Sequence, residues 1–351
     1  MYTSLSIKNF RAFETLEIEG LKRVNLFTGR NNSGKTSVLE AVYLLEGEAP
    51  AARARQLFRN RGLAEAGIIH QTALDMPWAT LFRNLAVDAD IELIGRTATA
   101  EAVMELSTTP SRFEITTRFP HLNLGFRAQY RNILIGRRRA TTGGDGDFVW
   151  VAEDGVRQTV PDEFALSPGS FLLSNSRRSQ RELVVQFGPF EVQKKDVLVL
   201  AALQIVEPRL RGLSTILLGG APVLHADLAG SDRRLPLAVV GDGMLRLLDI
   251  VFAILQNQEG AVLIDEIENG FHYSVLPKVW ELIHKLAKQY NVQVFAVTHS
   301  HECAVAAHEA AKIADYDYQY FRIEQKNGIG RAFPFDQEVM QTAIDVQLEF
   351  R

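Results

Sequence analysis

The chain has 351 residues, a formal net charge of −4 and a hydrophobic fraction of 46%. This composition is typical of a folded protein, and it excludes a disordered chain, a collagen-like chain and a disulfide scaffold. The single cysteine, Cys303, has no partner for an internal disulfide. The N-terminus lacks the apolar core of a signal peptide, and no apolar run is long enough to cross a bilayer. We therefore expect a cytoplasmic protein without membrane segments.

The first lobe, residues 1–84, predicts strands, a glycine-rich turn and helices. Alternating or continuous apolar runs predict strands over Ser4–Phe10, Thr15–Glu19 and Val24–Thr28. The apolar spacing after the turn predicts a helix over Thr36–Leu45. Two short helices with arginine- and alanine-rich polar faces are expected between residues 50 and 84.

Residues 85–165 change to short β-prone runs separated by turns. The predicted strands are Leu85–Ile94, Ala102–Leu106, Phe113–Arg118, Phe126–Ile135 and Phe148–Val151. We expect them to form an antiparallel sheet inserted into the first domain. Residues 166–235 then predict a short helical region, because apolar residues return to a helical period before Pro208. These residues are Val197, Leu200, Ala201 and Ile205.

The last region, residues 236–351, alternates strands and helices. Strands are predicted over Leu235–Val240, Ala261–Asp265 and Val292–Thr298, and helices over Gly243–Asn257, Leu276–Tyr290 and His301–Lys312. A hairpin of Tyr318–Glu324 and Arg331–Phe335 closes this region across the turn Asn327–Gly330. The order predicts an α/β fold with a mainly parallel sheet covered by helices. We assign the whole chain, 1–351, to a single split domain.

The glycine-rich turn fits the pattern G-x-x-x-x-G-K-[ST] and lies between a predicted strand and a predicted helix. Its residues are Gly29, Arg30, Asn31, Asn32, Ser33, Gly34, Lys35 and Thr36. The glycines permit a tight loop whose backbone N–H groups point at phosphate oxygens, and the helix adds its positive N-terminal end. We expect Lys35 to reach the β- and γ-phosphates and the Thr36 hydroxyl to ligate Mg²⁺. An accidental glycine-rich turn is disfavoured because both flanking elements are present.

Two later strands also end in polar residues. Asp265 and Glu266 follow the buried run that begins at Ala261, and His299 follows the run that begins at Val294. Consecutive carboxylates at the end of a central strand suit phosphate chemistry: Asp265 for the Mg²⁺ shell and Glu266 to orient and deprotonate the attacking water. A histidine at a strand end is usually structural, but beside the acid-bearing strand His299 would face the γ-phosphate and donate a hydrogen bond.

Gly241-Asp242-Gly243 precedes a predicted helix. Asp242 as an ordinary N-cap explains this turn locally. Alternatively, the turn presents a second helix N-terminus to a phosphate. One chain cannot easily place two such loops on the same γ-phosphate, whereas a second copy related by symmetry can.

Four features follow one another along the chain: the glycine-rich loop, Gly241–Gly243, the acids Asp265 and Glu266, and His299. Together they resemble the ABC-type ATPase head, the P-loop group that includes SMC-like and RecF-type proteins. Ile7–Arg11 and Gly29–Ser37 resemble the opening of that group. Gly241–Arg246, Ile264–His272 and Thr298–Ser300 are similar to the ATPase part of the overcoming-lysogenisation-defect (OLD) family. Relatives of this family include stand-alone ATPases encoded beside TOPRIM-type nucleases in anti-phage defence loci.

The resemblance implies roles for individual residues. Lys35 and Thr36 would be Walker A, Asp265 and Glu266 Walker B, Glu268–Gly270 the D-loop and His299 the switch histidine. Gly241–Gly243 would replace the ABC signature, although it reads Gly-Asp-Gly and lacks the usual serine. Ser37, Asn9 and Arg11 would lie near the nucleotide. Gln180 and Gln186 are both candidates for the glutamine loop.

The resemblance further implies a Mg²⁺-dependent ATPase that pairs head to head, as a dimer or a multiple of it. It would regulate a separate effector chain, a TOPRIM-type nuclease or similar, because no acidic cluster after His299 could build a nuclease site. The segment before residue 236 is too short for the long coiled coil of an SMC protein.

Two alternatives remain. An ATP-bound scaffold with little turnover is disfavoured by Glu266, which a scaffold does not need. A RecF-like DNA-binding ATPase is supported by clustered basic residues with Tyr130 among them, although such runs more often form a solvated face; its binding to DNA should weaken steeply with salt. The basic residues are Arg127, Arg131, Arg137, Arg138, Arg139, Arg177, Arg178 and Arg181.

Overall fold

A computed structural model of the chain describes residues 1–46, 50–61, 77–109, 113–118, 125–130, 133–140, 148–152, 171–174 and 178–346. The strands of its first half are β1 (Tyr2–Phe10), β2 (Phe13–Glu19), β3 (Val24–Thr28), β4 (Ile91–Thr97), β5 (Glu101–Thr109), β6 (Phe113–Arg118), β7 (Gly125–Tyr130), β8 (Ile133–Ala140) and β9 (Phe148–Ala152). The later strands are β10 (Phe171–Leu172), β11 (Leu210–Leu218), β12 (Ala221–Leu228), β13 (Leu235–Pro236), β14 (Ala261–Ile264), β15 (Gln293–Val297), β16 (Tyr318–Lys326) and β17 (Ile329–Phe335). The helices are α1 (Lys35–Leu45), α2 (Pro50–Asn60), α3 (Gln180–Val192), α4 (Asp196–Leu203), α5 (Leu237–Val240), α6 (Asp242–Gln256), α7 (Leu276–Gln289), α8 (His301–Ile313) and α9 (Gln337–Asp345).

A 12-stranded mixed sheet organises the fold, in the order β10-β14-β15-β3-β16-β17-β2-β1-β4-β5-β8-β9. The run from β10 to β16 is parallel. Strands β3, β14 and β15 are buried at every residue, as expected for parallel strands covered on both faces. Because β3, β14 and β15 are neighbours in register, the loops that follow them meet at one edge of the sheet.

Helices cover both faces of this parallel part, so side chains alternate between two apolar cores. Leu26 and Ile264 belong to the core that includes residues of α6, α7 and α8. Phe27 and Leu263 face the opposite core, which includes residues of α1. Phe27 stacks against Phe295, at 6.4 Å between ring centroids, and this contact fixes the strand that leads into the glycine-rich loop.

The structure confirms the predicted α/β class and most of the predicted elements. The antiparallel strands β4, β5, β8 and β9 pair onward from β1 and so continue the main sheet, while β6 and β7 pair only with each other. Phe126–Ile135, expected as one strand, contributes to the separate strands β7 and β8. Among the residues that the structure describes, no helix combines the length and apolar composition needed to span a bilayer.

The expectation of helix throughout residues 166–235 is wrong for its second half. Residues 210–228 form the antiparallel hairpin β11–β12, which β13 extends to a three-stranded sheet. The helical period ends before Pro208, and the turn at Gly219 and Gly220 has φ values of 59° and 84°, which glycine adopts without strain. The strand expected over Leu235–Val240 is also cut short, because Pro236 has a φ of −51° and leads into a single helical turn, α5.

Candidate functional site

The glycine-rich loop joins β3 to α1, as the sequence predicts. Gly29 and Gly34 have φ values of 141° and 93°. A Cβ at Gly29 would overlap the carbonyl oxygen of Ile323, and a Cβ at Gly34 would overlap the ring of Phe13. Only glycine satisfies both requirements, a left-handed backbone and close approach, so the loop keeps a fixed path into the N-terminus of α1.

Lys35 is the first residue of α1, and its ammonium group folds back over the loop. Its Nζ donates hydrogen bonds of 2.9 Å to the carbonyl oxygens of Gly29 and Arg30. Burial lowers the Lys35 pKa to about 8, while the charges of Asp265, Glu266 and Glu268 oppose that shift. The group is therefore protonated at neutral pH and held where the loop would receive phosphate oxygens.

Thr36 and Asp265 face each other across the cleft. The Thr36 hydroxyl lies 3.4 Å from both carboxylate oxygens of Asp265, which follows β14. Burial and the neighbouring charge of Glu266 raise the Asp265 pKa to about 6. Hydroxyl and carboxylate oxygens are the ligands that Mg²⁺ prefers, so this pair fits the predicted metal. Within the described part of the chain, no group of three or more His, Cys, Asp or Glu residues forms a metal cluster alone; further ligands would come from water and phosphates.

A turn after Asp265 carries the second acid. Glu266 has a φ of 44°, an uncommon conformation for a side chain of this size, and its Oε2 accepts a hydrogen bond of 2.6 Å from Asn269 Nδ2. Glu268 reaches the next strand end, where its Oε1 accepts from the backbone N–H of His299 at 2.9 Å. The turn and the histidine loop are thus tied together within one chain.

His299 lies at the end of β15, beside the acids, and lines the cleft. Burial and the charge of Lys35 lower its pKa, which favours the neutral imidazole at physiological pH. A neutral ring keeps one N–H donor for a phosphate oxygen or a water. The structure therefore places His299 where the strand order predicts it.

These elements enclose a cleft of about 920 Å³. It is lined by the predicted residues Asn31, Asn32, Gly34, Lys35, Thr36, Ser37, Asp265 and His299. It is also lined by Ala12, Glu40, Asn60, Arg61, Leu173 and Ser174, which sequence reasoning missed. Leu173 and Ser174 follow the two-residue strand β10, too short to carry a sequence signal, so only the pairing of β10 with β14 reveals them.

Arg11 and Asn9, expected near the nucleotide, do not line the cleft. Arg11 forms an ion pair of 2.9 Å with Glu40, a buried acid of α1, and the amide of Asn9 donates to the Asp90 carbonyl oxygen. Arg11 lies in the turn between β1 and β2 and neutralises Glu40, because a buried carboxylate requires a paired cation. Arg61 completes this cluster with its Nε at 2.8 Å from Glu40, and it does reach the cleft.

The predicted signature loop lies apart from the cleft. Asp242 lines a second cavity of about 280 Å³, together with Gln180, Arg178, Asn269 and other residues. Neither this loop nor Gln186 lines the larger cleft. A Cβ at Gly243 would lie 2.7 Å from the Gly270 carbonyl oxygen, so the loop packs closely against the turn expected to be the D-loop.

The structure describes the side chains of two members of the arginine cluster considered for DNA contact, Arg178 and Arg181. Arg178 is largely buried and its Nε forms an ion pair of 3.1 Å with Asp249, while Arg181 is exposed. Arg131 and Arg177 lie outside the described residues, and the side chains of five further residues of the cluster are not described either. These are Arg127, Tyr130, Arg137, Arg138 and Arg139. Arg178 is thus paired with Asp249 and lines the second cavity.

Comparisons with known proteins support an ATPase. A family model described as "AAA ATPase domain" matches residues 1–96, and one described as "AAA domain, putative AbiEii toxin, Type IV TA system" matches residues 144–303. The chain is 24% identical to a Helicobacter pylori protein named ATP/GTP phosphatase, over 91% of this chain and 90% of that protein. It is 54% identical over 43 residues to the DNA replication and repair protein RecF of Nitrosococcus oceani, or 12% of each chain.

A solved structure supports the fold. The SmcHead bound to the C-winged helix domain of ScpA aligns with a TM-score of 0.52 and 14% identity, covering 96% of this chain and 98% of that chain. Its likeness concerns the fold alone, whereas the phosphate-binding loop and the ATPase model concern the chemistry. The chain is therefore an ATPase with an SMC-head-like fold, and it is similar to AAA-type ATPase models over residues 1–96 and 144–303.

Proposed function

We propose that this ATPase binds Mg·ATP between two paired heads and that the resulting cycle regulates a separate effector chain in anti-phage defence. One observation carries the pairing. Residues 241–243 open a helix, as a phosphate-binding loop does, yet Asp242 lines a different cavity from that of Lys35 and Asp265. Within one chain this loop does not line the nucleotide cleft, whereas in a pair the loop of one copy would meet the nucleotide bound by the other.

In the proposed reaction, the loop amides and Lys35 bind the β- and γ-phosphates, and Thr36 and Asp265 hold the metal. Bound Mg²⁺ would neutralise charge that develops on the phosphates. Glu266 orients the attacking water and accepts its proton, and the neutral His299 donates a hydrogen bond to the γ-phosphate. Lys35, Thr36, Asp265 and His299 line one cleft and Glu266 directly follows Asp265, which supports hydrolysis rather than passive binding.

The effector role is supported by two likenesses. The model for residues 144–303 names an AbiEii toxin of a type IV toxin–antitoxin system, and the motifs resemble OLD ATPases. We expect the effector, a TOPRIM-type nuclease or similar, to be a different chain. If so, a locus expressing this chain with its neighbouring genes protects cells from phage, and Lys35→Ala abolishes that protection. Equal protection with Lys35→Ala, or none with the wild type, would refute the defence role.

The hydrolytic part is tested with Lys35→Ala, using Lys285→Ala as the matched control because Lys285 is an exposed lysine of α7. Binding of a fluorescent ATP analogue and release of phosphate are measured for both variants. Removing Lys35 deletes a charged donor to the phosphates, so binding should weaken at least about a hundredfold. The control should behave as the wild type. Unchanged binding in Lys35→Ala would show that the nucleotide lies elsewhere.

A RecF-like DNA-binding role is the second candidate, and the local identity with RecF favours it. Arg181 is the described member of the arginine cluster that is free of the core, since Arg178 pairs with Asp249. Binding of a short duplex is measured by fluorescence anisotropy between about 50 and 200 mM salt. Phosphate contacts predict a steep loss of affinity over that range. Absent or salt-insensitive binding would eliminate this candidate.

A further inference from the structure

Arg246 is a buried cation one turn into α6, and it contacts the backbone beside both predicted Walker B acids. Its Nη2 donates to the carbonyl oxygen of Asp265 at 2.6 Å and lies 3.4 Å from that of Glu266. Its Nη1 donates to the carbonyl oxygen of Leu173 at 3.0 Å. One side chain from the helix that follows the signature loop therefore bonds the ends of two neighbouring strands, β10 and β14.

The burial of this guanidinium calls for an explanation, because only 8% of the residue is exposed. An apolar residue could fill a position on the buried face of α6 without the desolvation cost of a charge. Among the described residues, the hydrogen bonds of Arg246 all go to main-chain carbonyl oxygens, although Asp249 and Asp265 are close enough to oppose the lowering of its pKa by burial. Its planar fork is suited to joining acceptors on separate segments.

The backbone that Arg246 holds is also held by main-chain hydrogen bonds, one of which the Asn269 N–H donates to the Glu266 carbonyl oxygen at 3.0 Å. Asp265 N–H donates to the Leu172 carbonyl oxygen at 2.8 Å, and Ile267 N–H donates to that of Val297 at 3.1 Å. Between these anchors, Glu266 takes its uncommon positive φ. A left-handed residue that carries a side chain is strained and persists only where its surroundings over-determine it. Arg246 supplies the anchor from the helix side.

The same region links the acids to the signature loop. Gly243 and Gly270 are in close contact, and an ideal Cβ on Gly270 would lie 3.6 Å from the Cβ of Arg246. A shift at the N-terminus of α6 would therefore move both the turn after Glu266 and the guanidinium that holds it. In a densely packed region, such a shift cannot be absorbed locally.

We propose that Arg246 is a positioning residue that fixes the main chain of Asp265 and Glu266 and transmits to it the position of loop 241–243. The transmission rests on the proposed pairing, in which that loop meets the partner's nucleotide. The fixing of the main chain does not depend on pairing, since every contact lies within one chain. The two parts can therefore be tested separately.

The first test measures amide hydrogen exchange of the ligand-free protein in Arg246→Met and Arg246→Lys. The matched control is Arg209→Met, because Arg209 is an exposed arginine that pairs with Glu207. Exchange over residues 264–270 should be at least about tenfold faster in Arg246→Met than in the control, while α7 stays protected. Arg246→Lys, which keeps a charged donor, should fall between the two.

The second test measures steady-state ATP hydrolysis by the same variants. Loss of a residue that orients a metal ligand typically costs about ten- to a hundredfold in activity. We expect that loss in kcat for Arg246→Met, a KM for ATP within about threefold of the wild type, and partial recovery in Arg246→Lys. Adding Mg·ATP should slow exchange over 264–270 in the wild type and less so in Arg246→Met.

The proposal is overturned if Arg246→Met matches the control in both exchange over 264–270 and kcat. It is also overturned if exchange rises equally throughout the protein, since that pattern shows a general role in folding. A wild type that neither hydrolyses ATP nor pairs would contradict the proposed function instead. The exchange comparison on the ligand-free protein would still decide whether Arg246 fixes the backbone.

Discussion

Asp265 is a buried carboxyl group whose pKa is raised to about 6 by desolvation and by the charge of Glu266. An unfolded chain has an aspartate pKa of about 3.9, so between these values the folded state binds more protons than the unfolded state. The free energy of unfolding contributed by this group therefore falls as pH rises from about 4 to about 6, and the loss is complete above that window. Asp265 destabilises the ligand-free fold at neutral pH.

We predict that Asp265→Asn raises the free energy of unfolding of the ligand-free protein at pH 8 by about 1–3 kcal/mol, because the amide carries no charge to desolvate. Thermal melts at pH 8 and pH 4 check this. The advantage of the variant should be present at pH 8 and nearly absent at pH 4, where the folded Asp265 is protonated and about half of the unfolded aspartate is protonated as well. The variant should also lose the extra stabilisation that Mg²⁺ adds to ATP. A variant less stable than the wild type at pH 8 would contradict the prediction.

The sequence predicts the position of a side chain in the cleft where a motif places that side chain next to a strand end. The cleft contains Lys35, Thr36, Asp265 and His299. Each of them follows a predicted strand of the parallel part of the sheet, and the ends of those strands meet at one edge. Prediction from the sequence fails for Arg11, whose partner Glu40 is 29 positions away in the chain. Ion pairing of that kind depends on the packing of α1 against β1, which periodicity does not reveal.

At the scale of elements, α6 begins where the predicted signature loop meets the turn at Gly270. Gly243 lies inside this helix, where alanine would otherwise be favoured by about 1 kcal/mol. A Cβ there would lie 2.7 Å from the Gly270 carbonyl oxygen, and that backbone atom cannot swing away as a flexible side chain would. The close approach of α6 to the turn therefore requires glycine.

We predict that Gly243→Ala lowers kcat for ATP at least about tenfold while Mg²⁺-free nucleotide binding stays unchanged, since the glycine-rich loop is not touched. Gly188→Ala is the control, because Gly188 lies in α3 with no atom near its added Cβ. Phosphate release and titration with a fluorescent ATP analogue check the two quantities. Equal kcat for both variants would show that the contact between loop and turn has no catalytic consequence.

Elements with a clear period of apolar residues can be predicted from the sequence, whereas elements that are short or that depend on tertiary pairing cannot. The spacing of apolar residues locates β3, α1, β14 and α8 to within a residue or two. The hairpin β11–β12 is missed because the sequence prediction continues the helical region past Pro208, although the helical spacing of apolar residues ends before that proline. The antiparallel strands are foreseen individually, but their continuation of the main sheet depends on the pairing of β4 with β1, which strand patterns alone do not specify.

At the scale of the whole molecule, one chain contains the cleft proposed to bind phosphate and a second, separate loop that also opens a helix. The cleft includes Lys35, Asp265 and His299, whereas Asp242 lines the smaller cavity behind the turn at Gly270. A nucleotide in the cleft would therefore contact the chain that binds it through the glycine-rich loop and the acids that follow β14. The proposed pairing would supply loop 241–243 from the other side.

This arrangement predicts that Glu266→Gln doubles its solution mass when Mg·ATP is added. The substitution removes the proposed base but leaves Asp265 and Thr36 to hold the metal, so the ATP-bound state should accumulate. Light scattering coupled to gel filtration measures the mass with and without Mg·ATP. The double variant Lys35→Ala with Glu266→Gln is the control and should not respond, because it lacks the main phosphate contact.

Each other result has a distinct meaning. A mass that is already high and unchanged by Mg·ATP would indicate a constitutive assembly, and pairing driven by nucleotide would be wrong. A monomer in both conditions would contradict a site built by two copies of this chain alone and would assign the missing contact to the effector or to DNA. A doubling that Gly243→Ala abolishes in the Glu266→Gln background would identify loop 241–243 as part of the surface that forms on ATP binding.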